Sequence, residues 1–404
     1  MTVTFEDVVA ARDRTDDEDI VHHTPIELSR SLSEMANATV YLKMEHLQRT
    51  GSFKTRGAYN KLSQLAAADE VDAVVAASAG NHAQGVAICA RTLGLDATIV
   101  MPEFAPQTKV DATRGYGAAV VLEGADFPGA MEHARSLKDD DTAFIHAYDD
   151  PDIVAGQGTL GLEIATDLPD VDTVLVPIGG GGLISGIGVA LSEQLPDTRL
   201  IGVQAESALT VHESLEKGFP MALESMRTFA DGIATGGISE LTLDLIETHV
   251  DEVVTVSDGE IATAVLLLLE RAKQLVEGAG AAPVAAMLSD EVDVSDETVL
   301  PVLTGGNFSI VELQWVLSHA LSQRQQVVQL RIRIEDKPGE LHHLSGIIAR
   351  TGANVRTVRH DRAVEDLDVG EAYLTFNVET SGVTHTTSII EAIRDDGYTT
   401  DRRT

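Results

Sequence analysis

Short apolar runs rich in β-branched residues alternate with longer helical segments along most of this chain. The alternation repeats from Val40 to Leu321, and parallel strands covered on both faces by helices produce it. The sequence therefore predicts an α/β fold. The predicted strands are Val40–Met44, Ala73–Ala77, Ala97–Met101, Ala118–Leu122, Thr173–Pro177, Leu200–Gln204, Glu252–Val256 and Val299–Leu303. The 3.6-residue apolar period is clearest in Asn81–Leu93 and Glu260–Val276, which are predicted as helices.

The pattern changes after residues 323–326. Val327–Ile334 alternates apolar and polar residues, as a half-exposed strand does. The remaining segments are predicted as a helix, two strands, a second helix and a short last strand, at Glu340–Ala349, Asn354–His360, Glu371–Val378, Thr384–Ile393 and near Tyr398. This βαββαβ order is ferredoxin-like. We therefore expect domains at residues 1–325 and 326–404, with a small lobe of the first at about residues 50–150.

The length and the apolar runs limit where the protein can reside. A chain of 404 residues is long enough for two or three domains. Its longest apolar stretch, Ile261–Leu269, is too short to span a bilayer, and the N-terminus lacks the basic and apolar regions of a secretory signal. We expect a cytoplasmic protein without a membrane helix. The single cysteine, Cys89, lies in an apolar run and is predicted to be a buried helix residue.

The charge is strongly negative. The chain has 64 acidic and 29 basic residues, a net charge of −35, which repels phosphate backbones and anionic lipid surfaces. We therefore expect neither nucleic acid nor membrane as a partner. The acidic residues are spread along the chain, and only eight of the basic residues are lysine. This composition favours hydration in concentrated salt, so it predicts a halophilic protein.

A lysine begins a predicted helix in the segment 43–58. Thr50 and Gly51 form a predicted turn, and Ser52 is the predicted helix cap. The helix dipole disfavours a cation at this position and lowers the pKa of Lys54. A lysine with a lowered pKa suits Schiff-base chemistry. From this segment alone, a solvated helix lysine is the more common interpretation.

A second loop, Ser78–Gly85, joins a predicted strand to a helix. Backbone N–H groups at such a helix start can bind a carboxylate or a phosphate. The alternative is a simple turn with Asn81 as the cap and His82 as a packed histidine.

A third loop contains four consecutive glycines: Gly179, Gly180, Gly181 and Gly182. Ordering four glycines costs much chain entropy, and close approach of the backbone to a phosphate explains their use. The loop is neither a GxGxxG fingerprint nor a Walker loop, so it predicts a different phosphate cradle. A fourth cluster, Thr304–Asn307, follows the strand Val299–Leu303. All four clusters follow strands, where ligands of open α/β sheets bind.

Together these motifs resemble the β-family of pyridoxal-phosphate (PLP) enzymes, of fold type II or tryptophan synthase β-like, and its threonine/serine dehydratase branch. The resemblance runs in order over most of residues 20–320. Its pieces are Gly51–Ala58, Ser78–His82, Gly156–Thr159, Gly179–Gly182, Ala230–Gly232 and Thr304–Asn307. The region after residue 326 resembles an ACT domain, with Asp336–Leu341 at the position of its ligand loop.

The resemblance implies PLP as the cofactor and a role for each matching residue. Lys54 would bind the cofactor covalently and move the α proton of the substrate. Phe53 would pack on the cofactor ring, Asn81 would reach its 3′-oxygen, and Thr304 would face the pyridine nitrogen, where similar enzymes have serine or cysteine. The four glycines would hold the phosphate. The residues implied around the substrate carboxylate are Ser78, Gly80, Asn81 and His82.

The implied reaction removes water and ammonia from threonine, giving 2-oxobutanoate as in isoleucine biosynthesis, or from serine, giving pyruvate. A racemase-like enzyme is an alternative. Similar racemases have a serine where this chain has Ala79, so we expect weak racemisation. They also bind a divalent metal with two acidic residues; Glu206 matches one, but His212 stands in place of the other, so no metal site is expected.

Further alternatives are a serine dehydratase, β-replacement or phosphohomoserine chemistry, and an amino-acid-binding regulator without catalysis. Lys54, Asn81 and the four glycines argue against the regulator. By the ACT resemblance, Asp336, Pro338 and Gly339 would form a loop for an amino-acid effector such as isoleucine or valine. Such loops often lie between paired domains, which implies allosteric control and a homo-oligomer, a dimer or a tetramer. A plain connecting turn is the other interpretation.

Overall fold

The computed structural model describes residues 2–16, 19–69, 71–223 and 226–403. The chain divides into two compact units, Met1–Ser309 and Ile310–Thr404. The boundary expected between residues 325 and 326 lies after a helix that this division assigns to the second unit. None of the helices in the described ranges is both long and apolar enough to cross a membrane.

The first unit contains strands and helices in close alternation. Its strands are β1 (Ile26–Leu28), β2 (Thr39–Lys43), β3 (Ala73–Ala77), β4 (Asp96–Met101), β5 (Ala119–Leu122), β6 (Thr142–Phe144), β7 (Thr173–Pro177), β8 (Arg199–Ala205), β9 (Glu252–Val256) and β10 (Thr298–Pro301). Its helices are α1 (Phe5–Thr15), α2 (Arg30–Ala36), α3 (Lys54–Ala68), α4 (Asn81–Leu93), α5 (Gln107–Gly115), α6 (Phe127–Ser136), α7 (Pro151–Asp167), α8 (Gly182–Gln194), α9 (Val211–Lys217), α10 (Glu240–His249), α11 (Asp258–Leu267) and α12 (Gly278–Met287).

These strands form two sheets. The larger has the order β1-β2-β10-β7-β8-β9, and the smaller has the order β5-β4-β3-β6. All strand pairs are parallel except β1 with β2. The predicted α/β alternation is confirmed. Because β2, β10 and β7 are neighbours, the loops that follow them leave the same edge of the larger sheet.

The helix predicted over Glu260–Val276 is partly wrong. Helix α11 ends at Leu267, a π-helical turn continues to Ala272, and Lys273 adopts a left-handed φ of 61°. The wider π turn shifts the side-chain register and a left-handed residue ends the helix. Apolar periodicity alone therefore overestimated its length. The chain then runs to Glu277, which precedes α12.

Helices α3, α7 and α8 pack unusually closely through glycines. A Cβ atom at Gly156 would lie 2.7 Å from the Cα of Gly57, and a Cβ at Gly186 would lie 2.5 Å from the nitrogen of Gly158. Any larger residue would push these helices apart. These contacts therefore fix the position of α3 within the unit, and with it the position of Lys54 at the start of the helix.

The second unit contains α13 (Ile310–Gln323), β11 (Val327–Glu335), α14 (Glu340–Arg350), β12 (Asn354–Asp361), β13 (Glu371–Glu379), α15 (Val383–Asp395) and β14 (Thr399–Arg403). Its antiparallel sheet has the order β12-β13-β11-β14. Leu344 and Ile347 of α14 and Ile389 and Ile393 of α15 pack in the core with the apolar face of the sheet. The predicted βαββαβ order is confirmed.

Candidate active site

Backbone pairing joins the segment after β2 to the loop after β10. Phe53 donates its N–H to the carbonyl of Thr304 at 3.1 Å, and Gly306 donates to Gly51 at 2.9 Å. Ser52 pairs with Gly305 as an isolated bridge. Two of the four predicted clusters therefore form one continuous surface beside Lys54.

Lys54 is the first residue of α3. Its Nζ donates to the carbonyl oxygen of Ala147 at 3.1 Å and lies 4.9 Å from the centroid of the Phe53 ring. Burial lowers the pKa of Lys54 to about 8, from about 10.4 in an exposed lysine. Roughly a tenth of the amines are then neutral at pH 7. The predicted direction of the pKa shift is confirmed, with burial as its cause.

Ser52 does not cap the helix, contrary to the prediction. Phe53 occupies the N-cap position, and the buried Ser52 hydroxyl has no hydrogen-bond partner among the described residues. The bridge to Gly305 places Ser52 one residue too early to reach the free N–H groups of the first turn.

The four glycines follow β7, the last of them begins α8, and they pack against surrounding side chains. A Cβ at Gly180 would lie 2.2 Å from the ring of Tyr148, and one at Gly179 would lie 2.9 Å from Thr235. Gly181 has a φ of +88° and precedes the first residue of α8. The free N–H groups of the first turn of α8 suit a phosphate. The loop has the backbone that a phosphate cradle requires.

The loop after β3 is open at its centre. Gly80 precedes α4, and a Cβ at this position would meet no described atom within 4 Å. Ser78 accepts a hydrogen bond from the Gly80 N–H at 3.1 Å. Asn81 is the first helical residue, so the interpretation of Asn81 as the cap is wrong. An anion can approach the start of α4 here.

His82 is buried behind this loop. Its Nε2 lies 3.1 Å from the carbonyl oxygen of Ile145 and donates to it. Burial, followed by the positive charge of Lys54, lowers the pKa of His82 to about 3. The ring is therefore neutral at physiological pH, with Nδ1 as its acceptor atom.

Sequence reasoning missed Glu277. Its Oε1 accepts from Asn81 Nδ2 at 2.6 Å, and its Oε2 accepts from the Asn307 N–H at 3.1 Å. Asn307 Nδ2 donates in turn to Asn81 Oδ1 at 2.7 Å. Glu277 lies in a loop without a predicted motif, so the sequence offered no signal for it.

A buried ionic network supports α3 two residues beyond Lys54. Arg56 donates to both carboxylate oxygens of Glu45 at 2.8 Å and to Glu163 at 2.6 and 3.0 Å. Lys43 donates to Glu163 at 2.6 Å. Burial would lower the pKa of Arg56, but Glu45 and Glu163 outweigh it and raise the pKa. The network joins β2, α3 and α7.

The predicted effector loop lies in the second unit, between β11 and α14. Asp336 accepts from Arg362 Nε at 2.6 Å and pairs with His360 at 3.3 Å. Gly339 follows Pro338, has a φ of +104°, and a Cβ there would meet no described atom within 4 Å. The turn is therefore accessible to a small ligand.

The site residues of the first unit fit pyridoxal phosphate. A fraction of the Lys54 amine is neutral near pH 7. The glycine loop leads into the start of α8, whose first residue, Gly182, has no side chain. A model of the pyridoxal-phosphate dependent enzyme family matches residues 18–305. The chain belongs to this family, its first unit has the fold-type II architecture, and its cofactor is pyridoxal phosphate.

Individual relatives are more specific. The chain is 44% identical over 397 residues to the L-threonine ammonia-lyase of Thermotoga maritima, covering 98% of each chain. A solved structure of the processed form of threonine deaminase isoform 2 from Solanum lycopersicum is 35% identical, with a TM-score of 0.74, over 78% of this chain and 93% of that one. Maize serine racemase is 31% identical, also with a TM-score of 0.74, over 80% of this chain and 100% of that one.

Proposed function

We propose that this enzyme is an L-threonine ammonia-lyase that converts threonine to 2-oxobutanoate and ammonia, and serine to pyruvate. The observation that carries the proposal is the buried Lys54, with a pKa of about 8, whose amine donates to Ala147 next to Tyr148, the residue that packs against the glycine loop at the start of α8. The full-length similarity to the Thermotoga maritima enzyme supports threonine as the substrate.

The cofactor would be held from several sides. The N–H groups of Gly179–Gly182 would bind its phosphate, the Phe53 ring would pack on it, and Asn81 and Thr304 would contact its polar ring atoms. Bound pyridoxal phosphate supplies an electron-accepting ring that stabilises negative charge at the substrate α carbon. Thr304 is a neutral partner, which withdraws electrons from the ring less completely than a carboxylate partner would.

Lys54 moves the proton at the substrate α carbon. A base must be neutral to accept a proton, and burial provides this form of the amine near neutral pH. The carbonyl of Ala147 orients Nζ through one hydrogen bond. The β-hydroxyl then takes up a proton and leaves as water, and the released enamine tautomerises and is hydrolysed to 2-oxobutanoate and ammonia.

The start of α4 would bind the substrate carboxylate. Gly80 leaves space for it, and Ser78 and the first N–H groups of α4 surround that space. His82 is neutral, so it contributes a polar contact and no positive charge. Attraction of the carboxylate would rest on the helix dipole and on N–H donors.

The alternatives differ at identifiable positions. Racemisation requires a proton donor on the opposite face of the substrate, and Ala79 has no hydroxyl to provide it. A regulator without catalysis has no need for a buried lysine with a lowered pKa. A serine dehydratase differs only in the fit of the substrate methyl group, which is worth about 1–3 kcal/mol.

We propose, secondly, that the C-terminal unit is an ACT-type regulatory domain in a homo-oligomer. The accessible turn at Gly339 and the βαββαβ order support this. An amino-acid effector would bind backbone groups beside Gly339. Threonine kinetics with and without isoleucine or valine test the proposal, and an unchanged midpoint, Hill slope and maximal rate would reject it.

The test of the catalytic proposal is a spectrum combined with product analysis. Absorbance of the holoenzyme in molar potassium chloride is scanned before and after addition of threonine, and 2-oxobutanoate is measured. We expect a cofactor band that changes with threonine and loss of turnover in Lys54→Ala. Product from serine but not from threonine would contradict the proposed substrate. A missing cofactor band would reject catalysis altogether.

A further inference from the structure

Three separate loops meet at the carboxylate of Glu277. A Cβ at Gly305 would lie 2.3 Å from its Oε1, and a Cβ at Gly232 would lie 3.5 Å from the same atom. Asn81 contributes its amide from the third loop. Glycine is required at Gly305 because a side chain would occupy the place of the carboxylate. The loops after β3 and β10 and the Ala230–Gly232 segment are therefore shaped around this group.

The hydrogen bonds fix the orientation of the Asn81 amide. A carboxylate only accepts hydrogen bonds, so the nitrogen of Asn81 must face Glu277. The Asn81 oxygen then faces Asn307, whose Nδ2 donates to it at 2.7 Å and to the Thr50 carbonyl at 2.8 Å. The two N–H bonds of Asn307 are thereby assigned. These bonds use the oxygen of Asn81 and one of its two N–H bonds. They leave its second N–H unused.

We propose that Glu277 is a positioning residue that keeps Asn81 a hydrogen-bond donor toward the cofactor. The inference rests on the proposed contact of Asn81 with the 3′-oxygen of the cofactor, and it is independent of the identity of the substrate. A donor stabilises the ionised form of that oxygen. A flipped amide would present its own oxygen and would favour the protonated form.

Two nearly isosteric substitutions release the amide in different ways. In Glu277→Gln the new side chain can donate or accept, so Asn81 can flip. In Asn307→Asp the donor to the Asn81 oxygen becomes a second acceptor, which competes with Glu277 for the Asn81 N–H groups and draws them away from the cofactor. Both variants should raise the fraction of bound cofactor that carries a proton on its ring oxygen. We expect the ratio of protonated to ionised forms to rise about fivefold to tenfold.

The readout is the absorbance of the holoenzyme without substrate. The protonated and ionised forms of the ring oxygen absorb in shorter-wavelength and longer-wavelength bands, and their ratio is measured at one pH. Glu260→Gln is the matched control, because it removes one negative charge at the start of α11, where Glu260 accepts the Ser257 N–H at 2.7 Å. We expect its ratio to equal that of the wild type.

The direction of the change separates positioning from simple charge. Loss of a nearby negative charge in Glu277→Gln would by itself favour the ionised oxygen and lower the ratio. A lower or unchanged ratio in Glu277→Gln would therefore overturn the inference, as would an unchanged ratio in Asn307→Asp. Absence of both bands in the wild type would instead overturn the proposed cofactor site. Asn307→Asp adds a negative charge that by itself raises the ratio, so if Glu277→Gln does not fold, Asn307→Asp is compared in the Asn81→Ala background, where only the charge effect remains.

The effect should also depend on Asn81. In an Asn81→Ala background, Glu277→Gln should no longer raise the band ratio or lower kcat, because the group that it positions is gone and only the loss of charge remains. With Asn81 present, kcat should fall about tenfold with little change in KM. Equal effects of Glu277→Gln in the two backgrounds would show that Glu277 acts by another route.

Discussion

One ion-pair network of the first unit and one ion pair of the second unit lie in opposite environments. In the first unit, Arg56 is 1% exposed and its partner Glu45 is fully buried. In the second unit, the Arg359 side chain of the Arg359–Asp361 pair is 79% exposed. The chemistry of the two pairs is the same, but their surroundings differ.

This difference in exposure distinguishes an ion pair that supports the structure from a surface pair that contributes little. Water replaces the partner of an exposed charge, so an exposed pair contributes little. A buried charge that loses its partner is left without solvation, which costs several kcal/mol. The network of Arg56, Glu45, Glu163 and Lys43 is therefore expected to hold the start of α3, and with it Lys54, in place. The pairs of the second unit should affect stability far less.

The largest expected effect is that of breaking the buried network. Arg56→Met should destabilise the apoenzyme by about 3–5 kcal/mol, because it leaves Glu45 and Glu163 buried without their main partner. Urea unfolding at fixed salt measures the change. Losses of similar size in Arg56→Met and in Arg359→Met would remove the contrast between the units.

The second prediction concerns Lys54, a buried cation that donates to the backbone carbonyl of Ala147. The neutral amine reacts with an aldehyde, and its fraction increases until pH exceeds the pKa. Reconstitution of apoenzyme with pyridoxal phosphate should therefore accelerate about tenfold per pH unit below about pH 8 and then level. Stopped-flow absorbance measures the rate. A rate still rising steeply above about pH 9 would show an ordinary lysine.

The third prediction concerns salt. With a net charge of −35, repulsion between surface carboxylates should weaken the fold at low ionic strength, although salt also screens the exposed ion pairs. We expect a higher thermal midpoint in molar potassium chloride than in dilute buffer. Stability that rises on dilution would reject the halophilic interpretation.

The smallest expected effect is that of an exposed pair. Arg359→Met should change the free energy of unfolding by less than about 0.5 kcal/mol, because the Arg359 side chain is 79% exposed and water already solvates its charge. Urea unfolding, compared with Arg56→Met under the same conditions, provides the measurement. A loss above about 2 kcal/mol of unfolding free energy would mean that the Arg359–Asp361 pair in β12 contributes more to stability than its exposure indicates.

Elements that are buried on both faces were the ones best predicted from the sequence. The bounds of β3 and β7 agree with the predicted strands Ala73–Ala77 and Thr173–Pro177. Their continuous apolar runs are a strong signal. The three-residue strands β1 and β6 were not predicted, because such short runs have no measurable period.

The site was predicted only as far as local motifs extend. Lys54, Asn81 and the four glycines each belong to a recognisable segment. Glu277 meets Asn81 across 196 residues of sequence, and this contact depends on where the π turn after α11 releases the chain. No local sequence pattern encodes a contact over such a sequence separation, so Glu277 could be identified only from the fold.

The glycine contacts between α3, α7 and α8 have a consequence for mutational surveys of this enzyme. In a saturation library, Gly57, Gly156, Gly158 and Gly186 should tolerate almost no replacement, although none of them touches a reacting atom. A map of intolerant positions would therefore include these four glycines, at which the helices pack together, among the apparent active-site residues. Measuring the soluble yield of each variant as well as its turnover would distinguish these packing positions from the residues that take part in the reaction.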